Sequence, residues 1–140
     1  MTFTDGHRFS RKMNISEKSI SEFALKAGDL NPIHHDKEYA EKSRYGNLIA
    51  SGPQTSALLM SYTATYFSEF SPMLGLEFNF RFKAPVIADD EVKLEWMIVH
   101  SRKSKKFGGQ LIDLRGRMIS SNGQTVVGAK GKVLLSENLM

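Results

Sequence analysis

Apolar and polar residues follow two different periods along this chain of 140 residues. From Pro53 to Phe70 apolar side chains recur around most of a helical circumference, which predicts one long buried helix with proline in its first turn. After Gly75, and again over 92–98, apolar and polar residues alternate strictly, which predicts half-buried antiparallel strands. Two further strands are predicted on either side of Asn122-Gly123, a dipeptide typical of tight hairpins.

The first third of the chain combines short elements with a long polar loop. The stretch His7–Ile15 predicts a first strand, and the S-x-x-E pattern of 19–22 predicts the capped start of a short helix that ends at Gly28. The loop from Asp29 to Asn47 then contains a proline turn and a single helical turn over Asp36–Glu41. Because loops of this length are uncommon in compact domains unless they are functional, we expect the chemistry to lie here.

This order of elements predicts an α+β fold in which an antiparallel sheet wraps one long central helix. The helix over 53–70 is the only element long enough to cover the apolar face of the sheet. A chain of this length is typical of one domain, so we predict a single domain over residues 1–140. The sheet leaves unpaired edges, and pairing of two copies side by side would cover them, which predicts a homodimer.

Composition places the chain among ordinary globular proteins. Hydrophobic residues make up 41% and charged residues 24% of the sequence. No apolar run approaches the roughly 18 residues of a membrane span, and no signal-peptide pattern is present, so a cytoplasmic protein without membrane contact is expected. The absence of cysteine excludes disulfides, a thiolate nucleophile and cysteine-based metal sites.

The formal net charge of +4 is modest, and only one stretch concentrates basic residues. This stretch consists of Arg102, Lys103, Lys105 and Lys106. It suits either a ligand that carries phosphate or a solvated hairpin loop, and the sequence favours neither. No nucleic acid partner is expected, because no recognised binding motif accompanies the charge.

An acid, an amide and two imidazoles lie close together at the start of the long loop. Asp29 and His34 are five residues apart, across a proline turn that can fold the chain back on itself. A carboxylate and an imidazole placed in this way can share one water molecule, with one group taking a proton and the other giving one. In the alternative interpretation, Asp29 caps a turn and His34 is a satisfied loop histidine.

The segment Gly28–Asp36 resembles the G-D-x-N-P-[apolar]-H-x-D signature of the MaoC-like dehydratases, which include (R)-specific enoyl-CoA hydratases. The resemblance extends to Ile49–Gly52, before the long helix, and to Arg81–Val86, after it. It implies the hot-dog fold and a hydro-lyase that adds water to, or removes it from, the 2,3-bond of an acyl thioester. The implied activity is in the first place that of an (R)-specific enoyl-CoA hydratase.

The resemblance also implies roles for individual residues. Asp29 and His34 fall on the catalytic aspartate and histidine of the family. Asn31 and Gly52 fall on substrate-binding positions, with Asn31 orienting the loop and the Gly52 amide near the thioester oxygen. His35 falls on a variable position and is expected at the surface.

Two positions depart from the pattern of many (R)-specific hydratases. Ser51 and Pro53 stand where those enzymes have histidine and methionine, and this difference leaves the substrate open. Asp36 matches the motif but is expected to cap the following helical turn. No metal is expected, since His34, His35 and Asp36 are adjacent in sequence rather than spaced along one helical face.

The expected partners are an acyl-CoA or acyl-ACP substrate and a second copy of the chain. No separate cofactor is expected, because coenzyme A would enter as part of the substrate. Two alternatives remain: a dehydratase for a different acyl-CoA or acyl-ACP, and a non-catalytic module that only binds acyl-CoA.

Overall fold

Five antiparallel strands form one sheet that packs against a long helix in the computed structural model, which describes residues 3–139. The strands are β1 (Arg8–Asn14), β2 (Met73–Phe82), β3 (Glu91–Lys103), β4 (Gln110–Ile119) and β5 (Thr125–Leu135). The helices are α1 (Glu17–Ala27), α2 (Lys37–Lys42) and α3 (Gly52–Ser68), with 3-10 turns at Pro32–His34 and Glu137–Leu139. The strand order is β1-β3-β4-β5-β2, so β1 and β2 are the edges. The predicted domain also includes Met1, Thr2 and Met140, which lie outside the described residues.

Helix α1 begins three residues earlier than the predicted capping box. The Ser16 hydroxyl oxygen accepts a hydrogen bond from the Ser19 amide at 3.1 Å, and Ser16 has the extended backbone of a cap. The Ser19 hydroxyl instead donates to the Ser16 carbonyl at 2.8 Å, so the predicted start at Ser19 is wrong. The predicted stop is confirmed, because Gly28 has a φ of 80°, a left-handed conformation that glycine adopts without steric cost.

Helix α3 begins where its proline predicts. The Ser51 hydroxyl caps the helix by accepting from the Gln54 amide at 3.2 Å. Pro53 lies in the first turn, where its missing N–H leaves no bond unmade. Serine at position 51 therefore has a structural task that is independent of substrate. Among residues 3–139, no helix combines the length and the apolar character needed to cross a bilayer.

The inner face of the sheet is shaped to receive aromatic rings. Trp96 on β3 is fully buried, and its ring N–H donates to the Leu59 carbonyl of α3 at 3.0 Å. A Cβ atom at Gly116 on β4 would stand 2.4 Å from the Trp96 ring, so any other residue at 116 would collide with it. This contact joins the sheet to the middle of α3 and holds the helix in place.

The prediction that α3 is buried holds for only one face of the helix in a single chain. Leu59 and Phe67 are fully buried, but Met60 is 40% exposed. The neighbouring edge strand β2 leaves Leu74 52% exposed and Leu76 43% exposed. A single chain therefore leaves Met60 exposed on α3 and, separately, an uncovered apolar strip on the edge strand β2 that consists of Leu74 and Leu76.

Candidate active site

The loop after α1 is held in shape by its own side chains. The chain leaves α1 through the left-handed turn at Gly28 and continues to Asp29. The Asp29 Oδ1 accepts a hydrogen bond from the backbone N–H of Asn31 at 3.1 Å. The Asn31 side-chain oxygen then accepts from the Ile33 amide at 3.4 Å and starts the 3-10 turn that ends at His34. These local bonds fold the loop back, so that His34 faces Asp29.

Asp29 and His34 form a partly shielded acid and base pair. The distance from His34 Nε2 to Asp29 Oδ2 is 3.5 Å, with the imidazole side chain 7% exposed and the carboxylate side chain 31% exposed. His34 Nδ1 lies 2.7 Å from the Ile49 carbonyl oxygen. A carbonyl can only accept, so Nδ1 carries a hydrogen and Nε2 is left for the carboxylate and for a reactant. The spacing lets both groups reach the same water molecule.

His35 is half-buried beside this pair and bonds to two neighbouring segments of the chain. Its Nε2–H donates to the Asp29 carbonyl at 2.7 Å, and its Nδ1 accepts from the Ser21 hydroxyl of α1 at 3.0 Å. His35 is half-buried, so the predicted surface position holds in part, but both of its ring nitrogens are engaged in hydrogen bonds. Two consecutive histidines in the sequence could have drawn attention to His35. Nothing in the sequence indicated its bond to Ser21, 14 residues earlier on α1.

Two other residues of the motif, Asp36 and Asn31, use their side chains to accept hydrogen bonds from nearby backbone N–H groups. Asp36 caps α2, because its side chain accepts from the Tyr39 amide at 3.0 Å, and this confirms the predicted capping role. Asn31 is exposed and uses its side-chain oxygen on the loop itself. The bond made by Asn31 agrees with an orienting role, and its contact with substrate stays a prediction.

Gly52 is the first residue of α3, so its N–H has no acceptor within the helix and lies at the positive end of the helix dipole. It borders a cleft of about 300 Å³, whose lining includes Ile49, Phe82 and Lys83. A Cβ atom at position 52 would stand 3.2 Å from the Phe82 ring, so glycine keeps this end of the helix open. The Ile49 carbonyl also accepts the hydrogen bond from His34. Ile49 therefore contacts both the cleft and the Asp29–His34 pair.

Residues 3–139 contain no cluster of three or more His, Cys, Asp or Glu side chains that could hold a metal ion. The ring nitrogens of His34 and His35 face separate partners, and Asp36 is engaged in a helix cap. The expectation of a reaction without metal or cofactor stays a prediction.

The basic cluster at 102–106 lies far from this site. It occupies the β3–β4 hairpin, near the C-terminal end of α3, whose 17 residues span about 25 Å at 1.5 Å per residue. Arg102 also pairs with Asp113 at 2.6 Å. This placement favours the solvated-hairpin interpretation of the cluster.

A sequence model of the MaoC-like domain matches residues 3–117. The chain belongs to the MaoC-like domain family. It is 30% identical over 128 residues to a UPF0336 protein of Streptomyces avermitilis, a match over 86% of this chain and 83% of that one. It is 34% identical over 87 residues to 3-hydroxybutyryl-CoA dehydratase of Methylorubrum extorquens, over 60% of this chain and 54% of that one.

The structure of this MaoC-like protein superposes on R-hydratase PhaJ1 of Pseudomonas aeruginosa with a TM-score of 0.80 and 25% identity. The superposition covers 96% of this chain and 83% of the hydratase. The predicted family and the predicted hot-dog fold, an antiparallel sheet around a central helix, are both confirmed.

Proposed function

We propose that this MaoC-like protein is a hydro-lyase acting on the 2,3-bond of an acyl thioester, and that it works as an (R)-specific enoyl-CoA hydratase. The observation that carries the proposal is the Asp29 and His34 pair, with 3.5 Å between carboxylate and imidazole. Membership of the MaoC-like family and the likeness to an R-hydratase support the same reaction.

In the proposed hydration, Asp29 is the base and His34, in its protonated form, is the acid. Asp29 takes one proton from water as the water oxygen bonds to C3, and His34 Nε2 gives its proton to C2. The carboxylic acid then returns its proton to His34 across the 3.5 Å gap, which restores both groups. Dehydration follows the same steps in reverse, so the atoms balance in both directions.

Negative charge develops on the thioester oxygen during this addition. We assign its stabilisation to the Gly52 N–H, which opens α3 and has the helix dipole behind it. A single donor of this kind typically contributes on the order of a hundredfold in rate. The substrate-binding role of Asn31 would be indirect, through the loop that it orients.

The proposed partners are an acyl thioester, on coenzyme A or acyl carrier protein, and a second copy of the chain. The uncovered strip on β2, with Leu74 and Leu76 exposed, supports a homodimer built along this edge.

Two alternatives are separable from this proposal. A dehydratase for a different acyl-CoA or acyl-ACP would use the same Asp29 and His34, so only a substrate series distinguishes it. A non-catalytic acyl-CoA-binding module would have no use for a matched acid and base, and the ring orientation of His34, fixed by the Ile49 carbonyl, argues against it.

The test is loss of enoyl-thioester ultraviolet absorbance when the protein is mixed with crotonyl-CoA and with longer 2-enoyl-CoAs. We expect turnover by the protein and a fall of at least about a hundredfold in Asp29→Asn, which is isosteric and removes the base. The matched control is Asp5→Asn, because Asp5 faces His100 at 3.4 Å in a second, exposed aspartate–histidine pair. Absence of turnover on every enoyl thioester, or full turnover by Asp29→Asn, would refute the proposal.

A further inference from the structure

The outer face of the sheet, opposite α3, carries a groove of about 730 Å³. The groove crosses the sheet from the edge strand β2 to β1 and is floored by small residues, including Gly116, Gly128 and Ala129. Its charged lining residues are Arg8, Arg81, Lys83, Glu95, Arg115, Arg117 and Lys130. Six cations and one acid therefore line the same surface.

The centre of the groove is a gap at Gly128. Arg81 of β2 and Arg117 of β4 are the cross-strand neighbours of Gly128, one on each side. A Cβ atom at Gly128 would lie 3.4 Å from Lys83 Cε, so the Lys83 side chain extends over the gap. Because adjacent strands are about 4.8 Å apart, these three cations surround a space that suits one anionic group.

Glu95, the one acidic residue in the groove lining, already pairs with basic side chains. Glu95 accepts from Arg117 at 3.1 Å and from Arg8 at 3.3 Å, and Lys93 lies 3.4 Å from its other oxygen. One carboxylate thus balances only one of three nearby cations. The acid cannot neutralise the remaining positive charge of the groove.

Four groove cations form no ion pair with any residue from 3 to 139: Arg81, Lys83, Arg115 and Lys130. Arg115 and Lys130 are direct cross-strand partners on the same face. Like charges in this arrangement repel and destabilise a sheet, and a bound anion would relieve the repulsion.

Lys83 connects this groove with the candidate active site. Phe82 packs its ring against Gly52, at 3.2 Å from the Cβ position, and lines the cleft at the start of α3. The next residue, Lys83, lines both that cleft and the outer groove. The two sites are therefore adjacent around the end of β2.

We propose that the Gly128 gap binds a phosphate group of the thiol carrier whose acyl thioester lies at Gly52, an inference that rests on the proposed function. A guanidinium group can donate two parallel hydrogen bonds to the oxygens of one phosphate, and a lysine ammonium adds a point charge. Arg81, Arg117 and Lys83 therefore suit a phosphate ester. The phosphate comes from the nucleotide of coenzyme A or from the phosphodiester of a carrier protein. A second copy of this chain is disfavoured because its groove has the same charge, and the described lining offers no aromatic ring on which a nucleic-acid base could stack.

The direct test is calorimetric binding of adenosine 3′,5′-bisphosphate and of pyrophosphate to the full-length protein. We expect measurable binding that weakens at least tenfold in the double variant Arg81→Gln, Lys83→Gln, which removes two of the three cations around the Gly128 gap. The matched control is Lys105→Gln, Lys106→Gln, which loses the same charge in the distant hairpin and should bind both probes as the parent does. No binding of either probe, or equal weakening in both double variants, would overturn the proposal.

Kinetic measurements distinguish the nucleotide of coenzyme A from the phosphodiester of a carrier protein. They also distinguish failure of the phosphate site from failure of the proposed function. In the Arg81 and Lys83 double variant, the KM for crotonyl-CoA should rise at least tenfold relative to the KM for crotonyl-N-acetylcysteamine, which lacks phosphate, if the nucleotide is the ligand. A rise seen only with a crotonyl-carrier protein identifies the phosphodiester. If neither KM rises while turnover persists, the phosphate site is wrong and the proposed function stands. If the probes bind at the groove but no thioester is turned over, the proposed function is wrong.

Discussion

His35 donates a hydrogen bond from Nε2 to the carbonyl oxygen of Asp29 at 2.7 Å. The same ring accepts from the Ser21 hydroxyl at 3.0 Å, so α1 and the loop are tied together at the residue that carries the proposed base. His35 therefore holds the backbone of Asp29 in position, with both of its ring nitrogens engaged.

We predict that His35→Ala lowers kcat about tenfold to a hundredfold with little change in KM, because the Asp29 carboxylate loses its placement. His35→Gln, whose amide can donate to the same carbonyl, should recover part of the loss. His100→Ala removes an exposed histidine and serves as the control. Full kcat in His35→Ala would show that the loop holds Asp29 without this bond.

A second prediction concerns the coupling of His34 with Asp29. His34→Ala should cost about as much turnover as Asp29→Asn, and the double variant should cost little more than either change alone. Groups that act on one reactant as a unit are strongly non-additive. The measurement is kcat/KM for crotonyl-CoA in the parent, both single variants and the double variant. Independent losses that multiply in the double variant would mean that the two residues act on different atoms.

The uncovered strip on β2 predicts a dimer in solution. Light scattering should give about twice the chain mass of 15.7 kDa. The double variant Leu74→Lys, Leu76→Lys should shift the protein towards monomer, because charge at an edge strand opposes pairing. Leu25→Lys is the control, since Leu25 is 62% exposed on α1, away from this edge. An active monomer in the parent protein would contradict the prediction.

Glu95 predicts a pH-dependent contribution to stability. Its partial burial acts to raise its pKa, but the bonds from Arg117 and Lys93 outweigh that effect, so the pKa of Glu95 lies below its usual value. A carboxyl with a lowered pKa in the folded state stabilises the protein above its unfolded pKa of about 4.3, and this stability is lost as pH falls through the folded value.

Glu95→Gln should therefore reduce the free energy of unfolding at pH 7 by on the order of 1 kcal/mol. The difference from the parent should shrink at pH 3, where the parent carboxyl becomes protonated. Urea unfolding at the two pH values measures both quantities, with the exposed Glu69→Gln as control. A loss of equal size at both pH values would assign the effect of Glu95 to packing instead of charge.

Features that depend on a few neighbouring residues were predictable from the sequence. The change of period after Gly75 identified the strands, Pro53 identified the start of α3, and Gly28 identified the end of α1. The exact start of α1 was less predictable, because Ser16 and Ser19 are both possible capping residues. Ser16 caps the helix, since its backbone is extended there. The motif from Gly28 to Asp36 was equally readable, since its turn is made by bonds between residues two apart.

Which distant groups meet depends on how the whole chain packs. The tautomer of His34 depends on the Ile49 carbonyl, 15 residues further along the chain, and the role of His35 depends on Ser21, on another helix. The basic groove arises because strand register brings Arg81 and Arg117 beside Gly128. Periodicity and caps are encoded within a few residues, whereas register and helix packing result from burying the whole core at once. Local residue patterns are therefore enough to predict the elements and the loop that carries Asp29 and His34, whereas the packing of the sheet on α3 sets the partners of each residue in the candidate site.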